Sequence, residues 1–127
     1  MEDGTASLIS IVDDDASFCR SLARFVRSLG HRVATYASAE EFLGAASALA
    51  TSCLISDVRM PGMDGLELQK RLAEEGRAVP VIFVAAGAEA RTRAAALEAG
   101  AVAFLDKPFS EAALIACIER ALGAAKP

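Results

Sequence analysis

Five short apolar runs rich in β-branched residues, each followed by apolar residues at helical spacing, constrain this chain more than any other feature. Ser7–Val12 is the first run, and from Ala16 to Leu29 the residues Phe18, Leu22, Phe25, Val26 and Leu29 share one helical face. Gly30, able to take positive φ, closes that helix, and Arg32–Tyr36 reads as a second strand. Ser38-Ala39-Glu40-Glu41 has capping-box spacing, which predicts a second helix with Phe42, Leu43 and Ala46 turned inward. Cys53–Val58 is the third strand, followed by a helix from Gly65 to about Glu75 that Gly76 ends. Val79–Val84 is nearly all apolar, as a parallel strand covered on both faces must be, with Pro80 tolerated at its start. The fourth helix, from about Glu89 to Ala99, is rich in alanine, so it forms readily but buries little area. Its packing should be weaker than that of its neighbours. Ala101–Leu105 makes a fifth strand, and Ser110 caps a last helix with Leu114, Cys117, Ile118, Ala121 and Leu122 on one stripe.

Regular alternation of strand and helix gives a parallel sheet covered on both faces, and right-handed crossovers reduce the topologies to a few. The expected fold is α/β, a flavodoxin-like (βα)5 doubly wound sheet of strand order 2-1-3-4-5. Its switch point lies between strands 1 and 3, where ligands gather beyond the carboxyl ends. Asp13 and Asp14 follow strand 1 and Asp57 ends strand 3, so their carboxylates should converge there.

A chain of 127 residues fits one domain, 1–127, with no room for an output domain. No apolar run approaches the roughly 18 residues of a membrane span. The first seven residues lack the basic start and long apolar stretch of a secretory signal, which predicts a cytoplasmic location and no membrane. A net charge of −4 opposes direct nucleic-acid binding, since affinity for a phosphate backbone comes from clustered Lys and Arg. Cys19, Cys53 and Cys117 are odd in number and set in apolar patterns, which suits buried free thiols. His31, after Gly30, reads as a surface residue of a turn.

The chemistry lies at the strand ends. Lys107-Pro108 follows the fifth strand, so a lysine joins the three acids. Clustered carboxylates repel an incoming phosphoryl group unless a divalent cation neutralises them, and Mg²⁺ prefers such hard oxygen ligands. Asp15 reads as a helix cap and Asp64 as part of the turn into the third helix.

Val12-Asp13-Asp14-Asp15, Asp57-Val58-Arg59-Met60-Pro61-Gly62-Met63-Asp64-Gly65 and Lys107-Pro108-Phe109, in that order and spacing, resemble a response-regulator receiver domain of bacterial two-component signalling. The resemblance covers essentially the whole chain, and the wording around Arg59 and Lys107 is most similar to FixJ-type receivers. It implies that Asp57 is the phosphoacceptor, charged by a sensor histidine kinase or by acetyl phosphate. It also implies Mg²⁺ held directly by Asp14 and Asp57, by Asp13 through water and by the Arg59 backbone carbonyl. Lys107 would pair with the phosphoryl group or, before it arrives, with Asp57; members of the family commonly hold this lysine on a cis peptide. The resemblance further implies a DNA-binding output domain outside this chain and a homodimer through the face of strand five and the last helix.

One position departs from the pattern. Receivers carry Thr or Ser at the end of strand four, whereas Val84-Ala85-Ala86-Gly87 offers no hydroxyl. Ser56 should face away from Asp57, and Thr92 falls in the next helix, so neither reads as a substitute. Phe104 stands at the family's aromatic switch position and, with Ala85 beside it, reads first as a core residue. Phosphorylation with weakened switching is therefore expected, against the alternative of a phosphorylation-independent interaction module on the same fold. A dehalogenase-like phosphatase would need a second acid where Arg59 stands, and no phosphate-binding glycine fingerprint points to a nucleotide enzyme.

Overall fold

The computed structural model describes residues 6–124. The first five residues, part of the stretch read against a secretory signal, lie outside the described residues. The chain alternates strand and helix as β1 (Leu8–Val12), α1 (Ala16–Ser28), β2 (Arg32–Tyr36), α2 (Ala39–Gly44), β3 (Cys53–Asp57), α3 (Gly65–Glu74), β4 (Val81–Ala85), α4 (Ala90–Glu98), β5 (Ala103–Asp106) and α5 (Glu111–Ala124). All neighbouring strands pair in parallel in the order β2-β1-β3-β4-β5.

The two-residue period of the strands sorts their side chains into two cores. On one face Ile9, Ile11, Cys53, Ile55, Ile82 and Val84 pack with residues of α1 and α5 such as Val26 and Ile118. On the other, Val12, Leu54, Phe83, Ala85 and Phe104 pack with Phe42, Leu68, Leu72 and Ala96 from α2, α3 and α4. All three cysteines are buried free thiols.

Caps account for the helix starts. Asp15 accepts from the Phe18 amide at 3.1 Å, as expected of a cap, and Ser110 accepts from that of Ala113 at 3.0 Å. Asp64 caps α3 in a complete capping box with Glu67, bonds of 2.8 and 2.9 Å running both ways. The box expected at Ser38 is only half formed. Ser38 accepts from the Glu41 amide, but Glu41 accepts from the amide of Ala37, one residue before the cap.

Three other expectations shift. The second helix stops at Gly44 and a 3-10 turn, Ala46–Ala50, follows; Ala46 is exposed, Leu43 is only half-buried, and Ala48 fills the core instead. β4 starts at Val81 because Pro80 lacks an amide hydrogen, though its carbonyl still accepts from Leu54 at 2.9 Å. β5 starts at Ala103, because the Ala101 amide bonds back to Ala96 and finishes the turn after α4. His31, partly exposed just after the Leu29–Gly30 turn, is a surface residue as expected.

Among the described residues no helix is long and apolar enough to cross a membrane. α4 buries only Ala96 of its own residues. Polar bonds hold it in place: Gln69 of α3 donates to the Ala96 carbonyl at 3.0 Å, and Arg93 reaches across to β5.

Candidate functional site

The sheet order sets β1 beside β3, and the residues that leave those strands meet at their carboxyl ends. Carboxylate oxygens of Asp13, Asp14 and Asp57 all lie within 4.8 Å of one another. Their burial differs: Asp13 is 1% exposed, Asp57 half-buried and Asp14 exposed. The turn after β3 is built around Gly65, where a Cβ would stand 2.3 Å from the Asp57 carbonyl oxygen and 2.9 Å from the Phe83 ring. Glycine lets α3 begin against the strand that carries Asp57, and the Gly65 amide bonds the Val58 carbonyl at 2.8 Å.

Lys107 enters from β5 on a cis bond to Pro108, as the family pattern implied. Its Nζ donates to Asp13 Oδ2 at 3.0 Å and stands 3.6 Å from Asp57 Oδ2. The expected resting pair with Asp57 is therefore the secondary contact. Asp13 is the more deeply buried carboxylate, so it has more to gain from a direct cation. The lysine also sits 4.0 Å from the centre of the Phe18 ring, which meets Phe109 edge-on at 6.2 Å.

Asp13 Oδ1 accepts from the Asp15 amide at 2.9 Å, so both of its oxygens are already engaged. Asp57 Oδ1 accepts from the Val58 amide at 2.8 Å. Burial, and then the charge of Asp13, push the Asp57 carboxyl above its ordinary value, against the opposing pull of Lys107 and the amides of Val58 and Arg59. An anionic cluster that raises its own proton affinity suits a small hard cation. The donor set fits Mg²⁺, with Asp14 and Asp57 offering the freer oxygens.

A cavity of about 320 Å³ opens beside Asp57, lined by Arg59, Asp64, Ala85, Thr92 and Lys107 among others. Ala85 is 3% exposed at the end of β4, opposite Asp106 of β5, and brings no hydroxyl to the cavity. Ser56 bonds the Asp57 carbonyl with its Oγ at 2.8 Å from the other face of the strand, as strand alternation requires. Phe104 is 6% exposed, tilted against Phe83 at 6.0 Å between ring centres. The Arg93 guanidinium lies 4.8 Å over the Phe104 ring, donates to the Phe104 carbonyl at 2.9 Å and pairs with Asp106 at 2.5 Å.

Sequence reasoning missed three residues here. Phe18 reads from the sequence as part of the buried face of α1, although its position one turn after Asp14 points to the site. Thr92 reads from the sequence only as a helical residue, and no signal in the sequence points to Arg93.

Residues 9–119 match the family described as the response regulator receiver domain. Response regulator protein TmoT of Ectopseudomonas mendocina is 45% identical over 116 residues, covering 91% of this chain and 53% of that protein. Transcriptional regulatory protein FixJ of Bradyrhizobium diazoefficiens is 38% identical over 123 residues, covering 97% of this chain and 60% of FixJ. This chain thus spans a little over half the length of these curated relatives. The crystal structure of FixJ-N superposes with a TM-score of 0.86 at 35% identity, covering 97% of this chain and 96% of that one. With its acids and lysine gathered at the carboxyl ends of a 2-1-3-4-5 sheet, the chain belongs to the response regulator receiver domains, the phosphoacceptors of two-component signalling.

Proposed function

We propose that this receiver accepts a phosphoryl group on Asp57 from the phosphohistidine of a sensor kinase, or from a small donor such as acetyl phosphate. The observation that carries this reading is the convergence of Asp13, Asp14 and Asp57 within 4.8 Å beside Lys107. A carboxylate oxygen of Asp57 forms the new P–O bond as the P–N bond of the donor breaks, and the departing imidazole nitrogen takes up a proton. Asp14, Asp57 and the Arg59 carbonyl would hold Mg²⁺, with Asp13 acting through water. Bound Mg²⁺ supplies the charge neutralisation that lets an anionic donor approach. The Val58 amide fixes one Asp57 oxygen, and Lys107 already lies within reach of the charge that arrives on the other.

Communication of that event through the end of β4 is weakened in this reading. A hydrogen bond to a charged group is worth about 1.5–3 kcal/mol, or roughly tenfold to hundredfold in an equilibrium, and Ala85 cannot make one. Ala85→Thr should strengthen phosphorylation-dependent dimerisation or partner binding relative to the native chain, measured by sedimentation or by a partner titration. We take the output to be a DNA-binding region outside this single domain, acting in the cytoplasm, with a homodimer across β5 and α5. The similarity to FixJ, a transcriptional regulatory protein, supports that assignment.

A second reading, a module that binds its partner whatever the state of Asp57, is favoured by Ala85 together with the Arg93 clamp on Phe104. It predicts unchanged partner binding in Asp57→Asn. The primary test is intact-protein mass after incubation with acetyl phosphate and Mg²⁺. One phosphoryl adduct is expected, absent from Asp57→Asn and from a metal-free control; a folded, Mg²⁺-exposed chain without the adduct favours the second reading.

A further inference from the structure

We infer that the hydroxyl of Thr92, in the first turn of α4, binds the phosphoryl group on Asp57 in place of the hydroxyl that Ala85 lacks. The inference rests on Asp57 being the phosphoacceptor. Thr92 is half-buried and lines the same cavity of about 320 Å³ as Asp57, Ala85 and Lys107. Among the lining residues it carries the only hydroxyl. It also lies on the correct face, because Ala85 and Phe104 belong to the core layer that α4 covers through Ala96.

The hydroxyl is available. A threonine inside a helix commonly bonds back to the carbonyl four residues earlier, but for Thr92 that residue is Ala88, which precedes the Glu89 cap. Its backbone amide is taken by the Glu89 carbonyl at 3.0 Å, and its hydroxyl carries no hydrogen bond among the described residues. The connection from β4 to α4 runs through a glycine. Gly87 sits there at φ +67°, and a Cβ added to it would meet nothing within 4 Å.

Arg93, the next residue, gives the contact a route outward. It bonds the Phe104 carbonyl and Asp106, so a pull on Thr92 acts on the clamp that joins α4 to β5. The phosphoryl group would then be sensed through the helix rather than through the end of β4.

Beryllofluoride with Mg²⁺ is a suitable probe, because its trifluoride adduct on a carboxylate reproduces the tetrahedral, anionic phosphoryl group. Titration of the native chain, followed by backbone amide shifts at Gly87 and Arg93, should show saturable binding that Asp57→Asn abolishes. Thr92→Val, which keeps the shape and removes the hydroxyl, should weaken that binding roughly tenfold to hundredfold and remove the Arg93 shift. Thr92→Ser should stay close to native, and Ala85→Ser added to Thr92→Val should recover affinity by returning a hydroxyl to the cavity. Circular dichroism verifies the fold, with Thr92→Ala as the substitute variant should valine unfold the helix. Hydroxyl-free variants that bind like the native chain, while Asp57→Asn does not bind, would overturn the inference and leave the phosphoacceptor reading intact. No binding by the native chain would overturn that reading and the inference together.

Discussion

At the scale of single residues, the pair of Lys107 and Asp13 is as much a matter of stability as of chemistry. Asp13 is 1% exposed and its partner stands 3.0 Å away, so removing the lysine alone strands a buried charge. Breaking such a pair costs about 3 kcal/mol or more, whereas removing both charges costs far less. Lys107→Met should therefore lower the unfolding free energy at neutral pH by about 3 kcal/mol in metal-free urea titrations. Asp13→Asn combined with Lys107→Met should recover most of that loss, a coupling the double-mutant cycle reads directly. A loss in the double variant equal to the sum of the two single losses would show that the ion pair is incidental. Asp13, Asp14, Asp57 and Lys107 were legible in the sequence because each sits beside a strand end, and a parallel sheet brings such ends together. Thr92, Arg93 and the stacking of Phe18 on Lys107 were not, since they depend on where a helix lands on the sheet.

At the scale of elements, the turn between β3 and α3 shows how closely two pieces of backbone can be required to approach. A Cβ at Gly65 would meet the Asp57 carbonyl at 2.3 Å, and a backbone neighbour cannot rotate away as a side chain would. Gly65→Ala should cost about 2–3 kcal/mol through overpacking, and it should slow phosphorylation because the displaced atoms belong to Asp57, the proposed phosphoacceptor. Gly123, exposed in the last turn of α5 with nothing within 4 Å of an added Cβ, is the contrasting site. Gly123→Ala should stabilise the chain by up to about 1 kcal/mol, in line with helix propensity. Chemical denaturation of the two variants side by side checks both signs. The same distinction explains which boundaries were readable. Strands β1 to β3 follow their apolar runs closely, but β4 and β5 each start two residues later than hydropathy indicates. Pro80 has no hydrogen to donate, and the Ala101 amide is already committed to Ala96. Hydropathy reports burial, whereas strand limits are decided by hydrogen-bond partners the sequence does not display. At α2 the apolar spacing continued past Gly44 although the helix did not, and the 3-10 turn delivered Ala48 to the core in place of Ala46.

At the scale of the whole molecule, the three thiols make stability depend on alkaline pH. Cys53 is 0% exposed at the start of β3, and burial, with a smaller contribution from nearby Cys117, pushes its thiol up to about 12 from an ordinary 9.0. Cys19 and Cys117 are displaced in the same direction, also chiefly by burial. In the unfolded chain these thiols ionise near the ordinary value, while the folded core keeps them neutral. Between those values the unfolded chain holds fewer protons than the folded one, so rising pH favours unfolding. The contribution of Cys53 is fully present below about pH 9 and is lost as pH rises through about 12. Urea midpoints measured from pH 8 upward should decline steeply above pH 9 for the native chain and less steeply for Cys53→Val, which fills the strand position without an ionisable group. Every other group is common to both proteins, so the difference between the two curves isolates the thiol. Parallel curves would mean that water reaches Cys53 in the native state, and the core between β3 and α5 would then be looser than its burial implies.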